Sequence, residues 1–450
     1  MQTPLHAVSG GRRLPELRTD VPGPRSRALA RRLARVESRN ITRVDERGPI
    51  FWAEAEGANV VDVDGNRFVD LTAGFGVAGA GHRAAGVVGA LEEQAHRLIH
   101  AMGDVYPAAV KVELLERLAE LAPGRLGVSI LSANGSDAIE SALKTAVLAT
   151  GRPGVVAFDG AYHGLGYGAL AVTGIRRFRE PVEAQLYPGV RFATYPGAAV
   201  RPGAAAPDPT AADALDHARR LIVESRTSAH PVGAVVVEPI QGRGGIRVPP
   251  AGFLPGLREL CSELDVLLIL DEIYTGFGRT GDWFACQHDG VVPDLLVVGK
   301  SLAGGLPLSA VIGTPEVMAA WPPSGGDAIH TSTFLGNPVS CAAALAQLRA
   351  LDEGGLVRRA RELGDWLADR LERLAARYEG VGRPRGRGLM RALPLTEDGA
   401  ARSAAAAEAA LRRGVIILPE ADALAFTPPL TITERQLEYA LGVLEESLAT

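Results

Sequence analysis

The chain has 450 residues, 47% hydrophobic and 22% charged, which suits a soluble globular protein with room for one large α/β domain and a smaller companion. A formal charge of −5 offers no broad basic surface, which argues against a nucleic-acid partner. No apolar run reaches the length of a membrane span and no signal-peptide core follows the N-terminus, while the isolated Cys261, Cys286 and Cys341 read as reduced thiols of a cytoplasmic protein.

Residues 1–24 mix Gly, Pro and Arg without periodicity and read as a loose arm. The spacing over Arg25 to Arg39 predicts a basic amphipathic helix that packs on the body or across a dimer interface. Phe51 to Leu71 alternates as antiparallel strands do, with Asp64-Gly65-Asn66 as the hairpin turn. Gly74-x-Gly76-x-x-Gly79 then precedes a helix expected from Ala84 to Leu98. That glycine run is the sole support for dinucleotide binding, and it is weak support. Arg67 and Asp70 interrupt the preceding strand, and no second strand ends in an acid about twenty residues on.

A short strand over Gly127 to Leu131 leads through Ser132-Ala133-Asn134-Gly135-Ser136 into a helix ending near Ala149. Strand, small-residue turn and helix N-terminus make a phosphate cradle, although an ordinary N-cap reads the same way. Val155 to Phe158 is a buried strand followed by Tyr162-His163, and an aromatic past a strand end can stack on a flat ring. Residues 196–212 are Pro- and Ala-rich, a surface loop. Val232 to Val237 is a strand that ends in Glu238-Pro239-Ile240-Gln241-Gly242.

Val266 to Leu270 is a wholly apolar strand followed at once by Asp271-Glu272, where a parallel strand delivers side chains into a ligand crevice. A glycine-rich loop, Gly276 to Gly281, comes next. A second apolar run, Leu295 to Val298, then ends in Gly299-Lys300. A lysine there is costly unless paired or neutral, and an amine of depressed pKa that condenses with an aldehyde as a Schiff base wants that placement. Helices are expected from Val339 to Leu351 and from Gly355 to Tyr378, and Arg385 to Leu395 begins a small C-terminal α+β portion. The strand–helix alternation of the middle third argues for a mostly parallel sheet covered by helices.

The runs EPIQG, DEIYTGFGRTG, GKSLAGGLPLSA and PPLTIT, which follow one another in family order, resemble the class III aminotransferases of the pyridoxal phosphate fold type I group, from about Phe51 to the C-terminal segment. The resemblance implies a large α/β domain over 81–338 and a smaller α+β domain drawn from both termini. Residues 46–80 supply part of that smaller domain and the active-site lip, and 339–450 supply the rest with a connecting helix. An arm and helix over 1–45 precede them. It implies pyridoxal 5′-phosphate as cofactor, Lys300 as its Schiff-base anchor and proton carrier, and Asp271, twenty-nine residues earlier, as the partner of the ring nitrogen. Gly135 and Ser136 are implied phosphate ligands. Tyr162 is implied over the ring with His163 beside it, and Glu238, Gln241 and Ile273 close to the cofactor. Thr333 would reach the phosphate of a second copy, so the implied active unit is a homodimer or higher oligomer with shared sites.

Trp52, Val77, Arg243 and Tyr274 are the candidate substrate contacts by the same likeness. Two departures stand out. Ornithine and 4-aminobutyrate aminotransferases carry a glutamate after QG and an arginine before Pro-Pro, and here those places hold Arg243 and Ala425. Losing both halves of an ion pair together is physically coherent, and it predicts a different specificity, with Arg243 itself as a receptor for an acidic group. Tyr274 stands where many relatives have glutamine near the cofactor's 3′ oxygen, a contact that Gln241 or the tyrosine hydroxyl could supply instead. Racemases, epimerases and aminomutases share this lysine and aspartate and are the rival reading; an NAD-binding oxidoreductase is the remote one. A P-loop, a zinc site and a GxSxG nucleophile all fail on spacing.

Overall fold

The computed structural model describes residues 11–45, 48–197, 209–325, 328–396 and 398–448. The first ten residues of the expected arm and positions 198–208 of the expected Pro/Ala-rich loop lie outside the described residues.

Near the N-terminus, β1 (Trp52–Glu56), β2 (Asn59–Asp62) and β3 (Arg67–Asp70) form an antiparallel ribbon. The Asp62 carboxylate accepts from the backbone of Asp64 and Asn66, which folds the expected turn. Residues 11–24 are not loose. Glu16 and Arg67 exchange backbone hydrogen bonds, and Asn66 Oδ1 accepts from Arg18 and Thr19. A composition rich in Gly, Pro and Arg gave no sign of these long-range partners. The helix that follows spans Pro24–Leu33, shorter than expected, with only Ser26 and Ala30 buried. Beyond Leu33 it has no apolar face to bury, and a helix in water without one is marginal.

The central sheet contains β4 (Val128–Ser132), β5 (Gly154–Phe158), β6 (Val190–Ala193), β7 (Val232–Val237), β8 (Leu267–Asp271), β9 (Leu295–Val298) and β10 (Ser309–Gly313). Their spatial order is β4-β10-β9-β8-β7-β5-β6. β10 runs antiparallel to both neighbours, and every other pairing is parallel. All residues of β5, β7 and β9 are buried, which is why these strands read as unbroken apolar runs. Each such Val or Leu contributes roughly 1.5–3 kcal/mol relative to exposure.

The C-terminal segment adds β11 (Arg385–Arg387), β12 (Met390–Pro394), β13 (Val415–Ile416), β14 (Leu418–Glu420) and β15 (Ala423–Phe426). β13 pairs parallel to β3, so the N-terminal ribbon is completed by C-terminal chain. The others form an antiparallel sheet ordered β11-β12-β15-β14. The molecule is therefore a large, mostly parallel α/β unit with a smaller α+β part built from both termini. No helix among the described residues is long and apolar enough to cross a membrane.

One expectation is corrected at the end of β8. Glu272 does not enter the crevice. Its carboxylate is buried and accepts from the Thr275 hydroxyl at 2.5 Å and from the backbone of Ala285 and Cys286 at 2.8 Å each. Successive strand residues point to opposite faces, so Asp271 and Glu272 cannot share one. Glu272→Ala strands two buried N–H groups, at about 1–3 kcal/mol each. A fall in the denaturant midpoint is expected, with Glu272→Gln falling less; an unchanged midpoint would show that the loop holds itself.

Candidate active site

The parallel strands end along one edge of the sheet, and the residues just past those ends meet in a cavity of about 510 Å3. β9 delivers Lys300 through Gly299. Lys300 has a left-handed backbone (φ 44°), an uncommon state for a residue with a Cβ, and it opens a short 3₁₀ turn to Leu302. Its ammonium nitrogen lies 3.5 Å from the centre of the Tyr274 ring. Burial pushes the amine down to about 8, against the pull of Asp271, Glu238 and Glu420, with Arg243 adding to the lowering.

β8 delivers Asp271, whose carboxylate is fixed at both oxygens. Oδ1 accepts from the Ile273 backbone at 3.0 Å, and Oδ2 accepts from His163 Nδ1 at 2.7 Å. Burial opposes a charge on His163, but the bond to Asp271 and its charge hold the imidazole above its ordinary pKa. His163 Nε2 is buried with no hydrogen-bond partner among the described residues. β7 delivers Glu238, which accepts from the backbone of Tyr162 and Gly242 at 2.9 Å each. Burial pushes the Glu238 carboxyl up to about 7; His163 pulls it back, and Asp271 adds to the rise.

The opposite wall is the start of the sixteen-residue helix Gly135–Thr150. Asn134 caps it by accepting from Asp137 N at 3.0 Å, and Ser136 Oγ accepts from Gly166 N at 2.9 Å. A Cβ at Gly135 would stand 2.8 Å from Ile273 Cδ1, so glycine is needed for the helix start to come this close. The backbone N–H groups and positive end of the helix face the cavity beside Ala133 and Asn134.

These features fit pyridoxal 5′-phosphate. A buried amine of lowered pKa suits the aldehyde, a fixed carboxylate suits a ring nitrogen, and a glycine-opened helix start suits the phosphate.

Of the residues expected here, Val77, Gly135, Ser136, Tyr162, His163, Glu238, Arg243, Asp271, Ile273, Tyr274 and Lys300 all line the cavity. Three do not. Gln241 is buried but turns away, donating from Nε2 to the Asp159 carbonyl at 2.8 Å. Trp52 is 44% exposed on the lip, edge-on to His82 at 5.7 Å. Thr333 lies on an exposed stretch of a single chain. The Tyr274 hydroxyl pairs with Thr427 Oγ1 at 3.1 Å, and the face of its ring lies against the Lys300 nitrogen.

Sequence reasoning missed Glu420, at the end of β14. It is buried beside the cavity with Oε2 at 3.8 Å from Arg243 Nε. It also missed the role of Phe178, whose ring lies 5.5 Å from that of Tyr162. The glycine run is resolved as a lip. Gly76 and Gly79 have no room for a Cβ against Tyr274 and Ser301, and β3 before them belongs to the small ribbon and not to a βαβ unit. The dinucleotide reading loses its support.

Comparisons with known proteins agree with this geometry. The family model described as aminotransferase class-III matches residues 41–448. The 4-aminobutyrate aminotransferase of Mycobacterium leprae is 38% identical over 445 residues, covering 96% of this chain and 98% of that protein. A PLP-bound amine transaminase from an uncultivated Pseudomonas species superposes with a TM-score of 0.84 at 30% identity, covering 92% of this chain and 98% of the other. The ornithine aminotransferase of Toxoplasma gondii superposes at 0.82 with 29% identity, covering 94% and 93%. The chain belongs to the class III aminotransferases.

Proposed function

We propose that this aminotransferase moves an amino group between an amine or amino acid and a keto acid or aldehyde, with Lys300 and Asp271 as its working pair. The observation that carries the assignment is that an amine of lowered pKa and a carboxylate fixed at both oxygens line the same cavity. When bound, pyridoxal 5′-phosphate supplies an electron sink for negative charge at the substrate carbon.

The chain's residues do the rest. Lys300 would anchor the cofactor through its amine, and as a free amine it would carry a proton from and to the substrate carbon. An amine near pKa 8 can both accept and return that proton at neutral pH. Asp271, oriented by His163 and the Ile273 N–H, would hold a proton on the ring nitrogen. Gly135 and Ser136 would hold the phosphate at the helix start, and Tyr162 would lie against the ring with Ile273 close by. Glu238 braces Tyr162 through its backbone.

The active unit in this proposal is a dimer. Thr333 and the neighbouring Phe334 (63% exposed) stand open to solvent in one chain, as do Ile99, Met102 and Tyr106, and a second copy would cover such apolar surface. Three buried free cysteines support a cytoplasmic, reducing location.

The purified protein is expected to show a yellow band of lysine-bound cofactor that Lys300→Ala abolishes. Addition of one amine without any keto acid should convert that band to the pyridoxamine form. No band after the cofactor is supplied would overturn the proposal, and a persistent band with α-proton exchange would favour racemase or epimerase chemistry. Asp271→Asn should lower turnover at least about 100-fold, the scale for losing one fixed electrostatic group at a reacting centre. In cofactor-free protein, labelling of Lys300 by an amine-directed reagent should rise with a midpoint near pH 8, because only the neutral amine reacts. A midpoint near 10.5, the value for an unperturbed lysine, would contradict the depressed amine.

A further inference from the structure

We infer that Arg243 is the carboxylate receptor of this cleft, resting on the Glu420 carboxylate when no anion is bound and exchanging it for the carboxylate of a substrate. The inference deepens the amino-transfer reading above and rests on it.

Apart from His163, the basic side chains lining the cavity among the described residues are Lys300 and Arg243, and Lys300 is committed to the cofactor. Arg243 projects from a tight loop. Gln241 and Arg247 close its base by exchanging backbone hydrogen bonds at 3.0 Å, Glu238 accepts from Gly242 N at 2.9 Å, and Arg385 Nε donates to the Gly245 carbonyl at 2.8 Å. The base is rigid and the side chain is long. The guanidinium carbon sits 4.9 Å from the Tyr162 ring centre and 5.7 Å from that of Phe178, and Arg177 lies over Phe178 at 4.7 Å. Two guanidinium groups thus share one aromatic ring, which concentrates positive charge there.

The contact with Glu420 is loose. Its 3.8 Å separation is an ion pair but exceeds a hydrogen bond, and Arg243 Nε is buried with no hydrogen-bond partner among the described residues. A guanidinium offers five donors in a planar fork, and a carboxylate facing that fork would satisfy two of them. Exchange of one carboxylate for another keeps the guanidinium charge compensated. Glu420 is left facing Lys300, Arg177 and the Tyr274 ring, and burial already pushes its carboxyl up against the pull of Arg243, Lys300 and Arg177. No other cation can stand in from the strand behind it. Ala425 lies in an apolar cluster with Ile240, Ile246, Tyr274 and Met390, where an added charge would be unpaired.

The test titrates the cofactor-loaded enzyme with unreactive dicarboxylates (succinate, glutarate and adipate), reading affinity by calorimetry. At least one is expected to bind. Arg243→Gln should weaken it by about 10- to 100-fold, the scale of a lost charge-assisted pair, and Arg243→Lys should recover part. Glu420→Gln should tighten it several-fold by removing the competing carboxylate. Equal affinities in the wild type and Arg243→Gln overturn the inference, as does a wild type that binds none of the three. If Arg243→Gln does not fold, Glu420→Gln decides, and a failure to tighten overturns the inference. Absence of the lysine-bound cofactor band in the wild type would instead defeat the amino-transfer reading itself.

Discussion

A primary amine becomes an effective nucleophile near neutral pH where burial keeps water from stabilising its charged form, and that constraint organises this molecule. Lys300 stands past the end of β9, a strand buried on both faces, with the Tyr274 ring against its nitrogen. Three carboxylates, Asp271, Glu238 and Glu420, favour its charged form, yet burial outweighs them and brings the amine down to about 8. The balance needs both sides. With the acids alone the lysine would be a permanent cation. With burial alone it would give up its proton and have nothing nearby to steady the charged state that returns it. Neighbouring parallel strands make this possible, because their ends bring residues from distant sequence positions to one edge while the apolar strands exclude water behind them.

Tyr274 joins that centre to the smaller part of the fold. Its ring passes between Gly76 of the lip and Gly242 of the loop after β7, where an added Cβ would come within 2.5 Å and 2.4 Å of it. Its hydroxyl meets Thr427, whose own hydroxyl donates to the Thr72 carbonyl at 3.3 Å. Thr72 in turn donates from N and Oγ1 to the buried Asp70, which also accepts from His82 Nε2 at 2.7 Å. The lip that carries Val77 is therefore tied through a buried polar chain to the ring beneath Lys300. Ala73, Gly74, Phe75 and Gly76 all have left-handed backbones, and such a stretch persists only where its surroundings hold it.

Much of this was legible in the sequence because burial on both faces leaves a simple mark. β7, β8 and β9 are short apolar runs ending in Glu238, Asp271 and Lys300, and polarity resuming at a strand end marks the crevice. The acidic pair after β8 was misread as entering the crevice together, although strand alternation separates Asp271 from Glu272. Other features depend on partners that no local pattern names. Gln241 faces the Asp159 carbonyl, a consequence of how the loops after β5 and β7 meet. The N-terminal segment is held by Asn66 and Arg67, whose roles are invisible until β2 and β3 pair. Glu420 is the clearest case. Its placement depends on the register of β14 against β15, which sets Glu420 opposite Ala423, and on a salt bridge spanning 177 residues of sequence.

The same register explains why the substitutions noticed in sequence form a set. A tyrosine at 274 fills the space beside Ala425, so a long cation at 425 would compete with the ring for one volume and lie in an apolar cluster. The cation instead comes from the facing loop as Arg243, with its acid on the strand side as Glu420. Arg243 and Glu420 thus place one positive and one negative group side by side at this end of the cleft. Arg243 without Glu420 would lose the carboxylate beside it, and Glu420 without Arg243 would keep only Lys300 and Arg177 as counter-charges among the described residues.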